Sequence, residues 1–308
     1  MTDTPKYSIV VPVFNSDQSL QELFQEILEV FTKMGQTFEA IFVDDGSDDR
    51  SWQVLEELKT IYPERITAIR LAKNFGQHNA TFCGLSHARG SQIITIDDDL
   101  QVPPAEIIKL TDAWELTKHD LIYGYFKHKK HSNIRNAGSL TVKKTSRFFH
   151  GTRGEGSSFR LISRDLVDKI LSYSTYFVFI DEILNWYTDE VSFVEVMHLP
   201  RKYKTSNYSL GKLVKLTGNS LIFYSTIPLK LMVYGGFSIA FVFFIFGMYY
   251  LYRKIFLDVP VPGYTSLITA ILFSTGIILL SLGIIGEYIS RIYSIQNKKP
   301  LFSIKKII

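Results

Sequence analysis

The stretch Ile93–Pro104, IITIDDDLQVPP, is a short apolar run that ends in three carboxylates and a pair of prolines. Its β-branched residues and its length predict a strand rather than a helix. Adjacent carboxylates repel one another, and such oxygen ligands suit Mg²⁺ or Mn²⁺ held together with a phosphate-bearing substrate. A solvated acidic turn is the alternative. The stretch therefore predicts a strand with a candidate metal–diphosphate site at its end.

A second acidic strand end has the same form. Residues 40–47 have the sequence AIFVDDGS, and they follow the apolar run YSIVVPVFN at 7–15. Each run is followed by apolar residues at helical spacing. Further strands are predicted at 66–71, 92–97 and 120–125, and helices at 20–31, 52–61, 77–88 and 104–116. This alternation predicts an α/β fold with a mostly parallel sheet covered on both faces.

Polar residues follow three of these predicted strands. In parallel sheets, ligands bind beyond the carboxyl ends of the strands. The residues that would gather there are Asn15, Asp44, Asp45, Asp97 and Asp99. A helix cap or a turn accounts for any one of them, but their convergence on one edge favours a binding site.

The last third of the chain contains two long apolar stretches. Roughly 22 residues between Lys230 and Arg253 and roughly 28 between Asp258 and Glu287 carry no charge, and each stretch is long enough to cross a bilayer core. Buried helices of a soluble core are the alternative, but they would need a much larger protein around them. The short connection predicts a transmembrane hairpin with helices at about 230–253 and 263–288.

Charge asymmetry predicts the orientation of this hairpin. Lys and Arg cluster from Lys202 to Lys230 and from Arg291 to Lys306, whereas the connecting loop carries Arg253 and Lys254. The positive-inside rule then predicts a multi-pass protein of the inner (cytoplasmic) membrane, with its catalytic domain and both termini in the cytoplasm. No signal segment is expected, because residues 1–6 are polar.

The predicted organisation has three parts. A catalytic α/β domain at 1–205 is followed by an amphipathic juxtamembrane helix region at 206–228, which is too polar to span a bilayer. The hairpin and a cytoplasmic tail occupy 229–308. Anionic lipid facing the flanking Lys and Arg explains the small net charge of +4, which is too low to indicate nucleic acid binding.

Two absences narrow the class of protein. Cys83 is the only cysteine, so the chain has no intrachain disulfide and no thiolate metal cluster. It is predicted to lie in the core, on the third helix. The glycine-rich phosphate-binding motif of P-loop enzymes does not occur in the sequence.

The motifs together resemble glycosyltransferase family 2, in its polyprenyl-phosphate branch. The resemblance rests on VPVFN at 11–15, DDGS at 44–47, NFG at 74–76, DDDLQVPP at 97–104, SSFR at 157–160, RKYKTSNY at 201–208 and GEYISRIY at 286–293. The branch includes dolichyl-phosphate mannose synthase, bactoprenol glucosyltransferases and the bactoprenol-phosphate aminoarabinose transferase. The resemblance implies a GT-A fold, Rossmann-like, on a two-helix membrane anchor. It also implies metal-dependent, inverting transfer of a sugar from a nucleotide diphosphate sugar to polyprenyl phosphate.

The resemblance further implies roles for single residues. The nucleotide would lie against Pro12, Phe14, Asn15, Asp44, Asp45, Asp97 and Asp98. The metal, Mg²⁺ or Mn²⁺, would lie on Asp97, Asp99 and Gln101. The acceptor phosphate would meet Arg135, Arg201 and Lys127, since Arg suits bidentate phosphate binding. Arg160 falls where the family has a basic residue and is a candidate catalytic residue. Asp181 and Glu182 are candidate substitutes for the family's usual base, although a helix cap would also explain Asp181.

Departures from the family pattern leave several points open. Ser16 stands where many relatives have Glu, and Ser158 stands where some glucosyltransferases have Asp, so the usual candidate base is absent. Tyr125-Phe126-Lys127 replaces an Arg-Tyr pair of mannose synthases, which disfavours mannose. The signature of processive synthases is absent, which favours one sugar per lipid. The donor nucleotide (UDP, GDP or dTDP), the downstream glycan of the cell envelope and homo-oligomer formation stay open.

Two other functions compete with this interpretation. One is transfer to a glycan or protein acceptor by a membrane-anchored enzyme. The other is an inactive lipid-binding scaffold, against which the intact Asp97-x-Asp99 motif argues.

Overall fold

The structure is a computed structural model that describes residues 4–126, 157–172, 180–203, 263–296 and 300–308, with single helical residues between 234 and 256. The chain forms two compact units. The first comprises residues 1–206 together with 298–308, and the second comprises residues 207–297. The carboxyl-terminal residues thus belong to the first unit, although in the sequence they directly follow the predicted membrane segment.

An eight-stranded mixed sheet forms the centre of the first unit. Its strands are β1 (Tyr7–Val13), β2 (Phe38–Asp44), β3 (Ile66–Leu71), β4 (Gln92–Thr95), β5 (Leu121–Tyr125), β6 (Arg160–Ser163), β7 (Val191–Glu195) and β8 (Ile304–Ile307). Their spatial order is β7-β5-β6-β4-β1-β2-β3-β8. Strand β1 is parallel to β2 and β4, and β2 is parallel to β3. The carboxyl ends of these four strands therefore meet at one edge.

Helices follow the strands in alternation. They are α1 (Leu20–Met34), α2 (Ser51–Ile61), α3 (Gln77–His87), α4 (Ile107–Thr117, after a 3₁₀ turn at Pro104–Glu106), α5 (Arg164–Leu171), α6 (Ile180–Tyr187) and, in the second unit, α7 (Tyr264–Gln296). The strands and helices predicted up to residue 125 are confirmed. The sheet is mixed but mostly parallel, as predicted: β6 and β8 run antiparallel to their neighbours, and the other six strands run in one direction.

Apolar side chains cover both faces of the sheet. All seven residues of β1 and of β2 are buried, as in strands with helices on both sides. One core cluster includes side chains of α1, α2 and α4, and the other includes side chains of α3, α5 and α6. Cys83 is fully buried in the second cluster, as predicted, and burial raises the pKa of its thiol to about 12.

Strand β8 brings the end of the chain back to the first unit. It pairs antiparallel with β3, and the backbones of Ala68 and Ile308 exchange two hydrogen bonds of 3.1 and 2.9 Å. Lys306 Nζ lies 2.7 Å from Glu56 Oε1 on α2. Side chains before, within and after β8 pack against the two cores: Leu301, Phe302, Ile304 and Ile308.

The second unit contains α7, a helix of 33 residues. Its segment Phe273–Ser290, with a mean hydropathy of 1.5, is the one helix among the described residues that is long and apolar enough to cross a membrane. The first predicted membrane helix, at about 230–253, is described only at scattered helical residues. The predicted juxtamembrane helix at 206–228 lies outside the described residues. The two-helix hairpin therefore stays a prediction.

Candidate active site

The loops after β1, β2 and β4 meet at the carboxyl edge of the sheet. The Phe14 amide donates to Asp98 Oδ2 at 3.0 Å, which joins the first loop to the third. The Asn15 amide donates to Ser47 Oγ at 2.9 Å, which joins the first loop to the second. Asn15 has a φ of 52°, a left-handed conformation that Asn tolerates better than most residues. The structure therefore brings together the polar residues that follow these strands.

The end of β2 buries two carboxylates side by side. Asp44 Oδ1 accepts from the Ser47 amide at 3.0 Å. Asp44 Oδ2 lies 3.2 Å from Arg70 Nε but accepts no hydrogen bond from the described residues. Burial raises the pKa of Asp44 despite the Ser47 hydrogen bonds and the nearby Arg70. This oxygen is a buried acceptor that a ligand N–H or O–H would satisfy.

Asp45 ties the loop after β2 to the start of α3. Its two oxygens accept from the amides of Phe75 and Gly76 at 2.7 and 2.8 Å. Burial raises its pKa to about 6. The loop after β2 can approach the segment before α3 this closely because residue 46 is a glycine. Gly46 has a φ of 72°, and a Cβ added to it would lie 2.7 Å from the carbonyl carbon of Lys73. The DDGS and NFG motifs thus contact each other directly, and together they form what is called here the packed turn after β2.

Asp97 is held by hydrogen bonds to both of its carboxylate oxygens. Gln77 Nε2 donates to Oδ1 and Ser158 Oγ donates to Oδ2, each at 2.6 Å. Burial raises the pKa of Asp97 to about 6. The serine that replaces the family's candidate base therefore orients this carboxylate.

Asp99 and Gln101 share one cationic partner. Arg201 Nε lies 3.1 Å from Asp99 Oδ2 and 3.1 Å from Gln101 Oε1. The other Asp99 oxygen, Oδ1, accepts from the Gln101 amide at 3.1 Å. Leu100 has a φ of 57°, which turns the chain sharply after the carboxylates.

The oxygen ligands at this edge of the sheet could hold a divalent cation only if substrate phosphates completed its coordination. Among the described residues, no group of three His, Cys, Asp or Glu side chains could hold a metal ion by itself. Proteins usually bind Mg²⁺ through one or two carboxylates plus substrate phosphates and water. Asp97 and Asp99 supply carboxylates of that kind, and the assignment of a metal to Asp97, Asp99 and Gln101 stays a prediction.

A second polar cluster lies behind Asp97. The guanidinium of Arg160, which is 2 % exposed, forms an ion pair with Asp181 on α6. Tyr123 Oη donates to Asp181 Oδ1 at 3.0 Å, and burial raises the pKa of this tyrosine. Arg160 Nε also donates to Thr95 Oγ1 at 3.1 Å.

Hydrogen bonds connect this cluster to Asp97. Thr95 Oγ1 donates to the carbonyl of Ser158, whose hydroxyl donates to Asp97. The Arg160–Asp181 pair therefore supports the segment that orients Asp97. Glu182, the neighbouring candidate, is partly exposed on α6.

Gln77 and His78 were missed by the sequence reasoning. Both begin α3, directly after Gly76. His78 lies near Asp181 and Arg160, and burial lowers its pKa to about 4, so it is neutral at pH 7. Their position just after an NFG turn at the carboxyl edge of the sheet was the available signal.

A surface strap, residues 196–203, crosses the site after β7. The Leu199 amide donates to the carbonyl of Gln101 at 2.7 Å. Farther along, Lys202 Nζ lies 2.6 Å from Glu22 Oε1 on α1. An open cleft of about 430 Å³ lies between the strap and the loop after β1, and its lining includes Asn15, Asp99, Arg201 and Tyr203.

Several of the predicted site residues are not seen at this edge of the sheet. Arg135 and Lys127 lie outside the described residues. Pro12 is buried inside β1, whereas Phe14 is 42 % exposed at the edge of the sheet. The roles assigned to the site residues stay predictions.

Comparison with known proteins identifies the family. The sequence profile of Glycosyl transferase family 2 matches residues 8–171, which is more than half of the chain. The chain therefore belongs to glycosyl transferase family 2, its first unit has the GT-A fold, and it is a glycosyltransferase. A second profile, the GtrB C-terminal hairpin, matches residues 227–292.

Relatives extend the similarity over almost the full length. The prophage bactoprenol glucosyl transferase homolog of Escherichia coli K12 is 32% identical over 98% of this chain and 99% of its own. The undecaprenyl-phosphate 4-deoxy-4-formamido-L-arabinose transferase of Proteus mirabilis is 31% identical over 98% of this chain and 94% of its own. Among solved structures, glucosyl-3-phosphoglycerate synthase of Mycobacterium tuberculosis with Mn²⁺ and UDP-glucose aligns with 71% of this chain and 77% of its own (15% identity, TM-score 0.48).

Proposed function

We propose that this protein transfers a single sugar, with inversion, from a nucleotide diphosphate sugar to polyprenyl phosphate at the cytoplasmic face of the inner membrane. The product would be a polyprenyl-phosphate sugar for modification of cell-envelope glycans. One observation carries the proposal: similarity to proteins named for bactoprenol or undecaprenyl phosphate covers 98% of the chain, through the hairpin as well as the sheet.

The donor half of the site is proposed to be the packed turn after β2. Asp44 offers a buried oxygen that accepts no hydrogen bond from the described residues, and it suits an N–H of a nucleobase. Phe14 offers an exposed aromatic ring beside it on the same edge of the sheet. Asp45 keeps the turn against α3 through its two backbone hydrogen bonds.

The diphosphate is proposed to meet the oxygens of Asp97, Asp99 and Gln101. A Mg²⁺ or Mn²⁺ ion held there would offset the charge that develops on the leaving diphosphate. Gln77 and Ser158 keep Asp97 in one orientation, at 2.6 Å each. Fixed orientation of this kind limits the reorganisation needed when substrate binds.

The acceptor is proposed to react without a strong base. A phosphate monoester has a second pKa of about 6, so most of it has lost its second proton at neutral pH. It needs a cation to position it, and Arg201 lies on the strap beside the carboxylates with its side chain 37% exposed. Asp181 pairs with a buried arginine instead, and we assign it a positioning role. Glu182 stays a candidate base.

A reconstitution assay tests this function directly. Full-length protein in detergent would receive radiolabelled UDP-, GDP- and dTDP-sugars with a short-chain polyprenyl phosphate. We expect one of these donors to give an organic-soluble labelled lipid, and EDTA to prevent its formation. Label transferred to a glycan or a protein instead would favour the second enzymatic function, and no turnover with any donor or acceptor would favour the scaffold.

Strand β8 supports the proposed membrane topology. Residues 304–307 and 66–71 pair in the same sheet, so the segments before and after residues 207–297 must lie on the same side of any membrane that these residues cross. That arrangement requires an even number of crossings, as a hairpin provides. Reporter fusions after residue 308 and within 257–263 should place the carboxyl terminus in the cytoplasm and the loop outside. A cytoplasmic loop reporter would contradict the hairpin.

A further inference from the structure

Arg201 occupies the position that a bound cation would take between Asp99 and Gln101. Its Nε lies 3.1 Å from an oxygen of each residue. Side-chain exposure is 37% for Arg201 and 18% for Asp99, so the pair lies at the mouth of the site rather than in the core. Two of the three side chains proposed to hold the metal thus already have a positive partner.

The strap fixes Arg201 there from both sides. On the amino-terminal side of Arg201, the Leu199 amide donates a hydrogen bond to the carbonyl of Gln101. Gln101 Nε2 in turn donates to the carbonyl of Leu199 at 3.4 Å. After Arg201, Lys202 and the hydroxyl of Tyr203 both contact Glu22 on α1. The guanidinium can therefore leave Asp99 by a change of its own side-chain rotamers, without release of the strap.

We propose that Arg201 is an internal counterion that the metal–nucleotide complex displaces. In the absence of donor, Arg201 neutralises the charge of Asp99 and donates a hydrogen bond to the side-chain oxygen of Gln101. When the metal arrives with the diphosphate, Arg201 is released and becomes available to the acceptor phosphate. The inference rests on the proposed function and adds an order of binding to it, donor first and acceptor second.

The chemistry of the two cations supports competition. A guanidinium stays charged at every accessible pH, so Arg201 cannot leave by losing a proton and must move. Mg²⁺ requires its oxygen ligands at 2.0–2.1 Å, close enough that a guanidinium on the same oxygens would be repelled. Once free, the planar guanidinium matches a phosphate with two parallel hydrogen bonds.

Metal binding in the presence of a nucleoside diphosphate tests the inference. Full-length protein in detergent is titrated with Mn²⁺ in the presence of UDP, GDP or dTDP and without sugar or acceptor lipid, and free Mn²⁺ is followed by electron paramagnetic resonance. The same titration without protein gives the Mn²⁺ held by the nucleotide alone. Removing the competing cation in Arg201→Gln should tighten Mn²⁺ binding by at least about fivefold, the lower end of typical coupling between sites. The matched control is Lys33→Gln, which removes an equal charge from the exposed last turn of α1, at the opposite end of that helix from Glu22.

Two outcomes would overturn the proposal. One is equal or weaker Mn²⁺ binding by Arg201→Gln. The other is an equal gain in Lys33→Gln, which would show that the loss of any positive charge tightens Mn²⁺ binding. A double variant adds a check, because the gain from Arg201→Gln should disappear when Asp99 is already Asn. The titration contains no sugar and no acceptor, so its failure is distinguishable from a failure of sugar transfer.

Discussion

Asp99→Asn is expected to lower the rate of sugar transfer by at least about a hundredfold, because a neutral amide is a much weaker ligand for a divalent cation than a carboxylate. The side chain lies at a strand end and is partly exposed, so the fold should be unaffected. Transfer is measured as labelled lipid formed per minute at saturating donor. Thermal midpoints of both proteins in detergent show whether the variant is folded.

The matched control for this variant is Asp112→Asn on the exposed face of α4, which removes the same charge away from the site. Its activity should equal that of the wild type. Chelation of divalent ions should reproduce the Asp99→Asn defect in the unmodified protein. Full activity of Asp99→Asn, or activity that EDTA leaves unchanged, would remove the metal from the mechanism.

Asp181→Asn is expected to lower the free energy of unfolding by about 3 kcal/mol, because breaking a buried ion pair leaves an uncompensated charge. That charge is on Arg160, whose side chain is 3% exposed. The Tyr123 hydroxyl would also lose its charged acceptor. The measurement is the thermal midpoint in detergent, followed by turnover at a temperature where the variant is folded.

Asp168→Asn on α5 is the control for this stability effect. It breaks an exposed Arg164–Asp168 pair in which Asp168 is 62% exposed, and such pairs contribute about 0–1 kcal/mol. The comparison also separates two roles for Asp181. A positioning residue loses stability when it is neutralised, whereas a group that only accepts a proton would lose turnover at an unchanged thermal midpoint.

Local sequence patterns were enough to predict the strands of the first half of the sheet but not those of the second half. Strands β1 to β4 are apolar runs followed by amphipathic or buried helices, and β5 is an apolar run of the same kind, so adjacent residues are enough to predict them. Strands β6 and β8 have four residues each and form antiparallel pairs with distant parts of the chain. Such pairing depends on tertiary context, which no window of sequence contains. The sequence of β8, IKKI, was interpreted as part of a basic juxtamembrane tail.

The same division applies to the site. The carboxylates were predictable because each directly follows an apolar strand, and strand ends meet at one edge. Their partners were not, because Gln77, Ser158 and Arg201 come from segments 20, 61 and 102 residues away from the carboxylates they contact. Asp181 was predicted as a substitute base from its place in the sequence alone, and its pairing with Arg160 becomes visible only in three dimensions.

Strand β8 also has a consequence for biosynthesis. It is the last strand to leave the ribosome, after all of residues 207–297, yet it covers the edge of a sheet whose other strands come earlier in the chain. Until it arrives, β3 presents an unpaired edge, which is a site for aggregation. Under the proposed topology, a chain whose carboxyl terminus lies on the wrong side of the membrane would keep that edge open. Completion of the sheet would then depend on correct insertion of the predicted membrane segment.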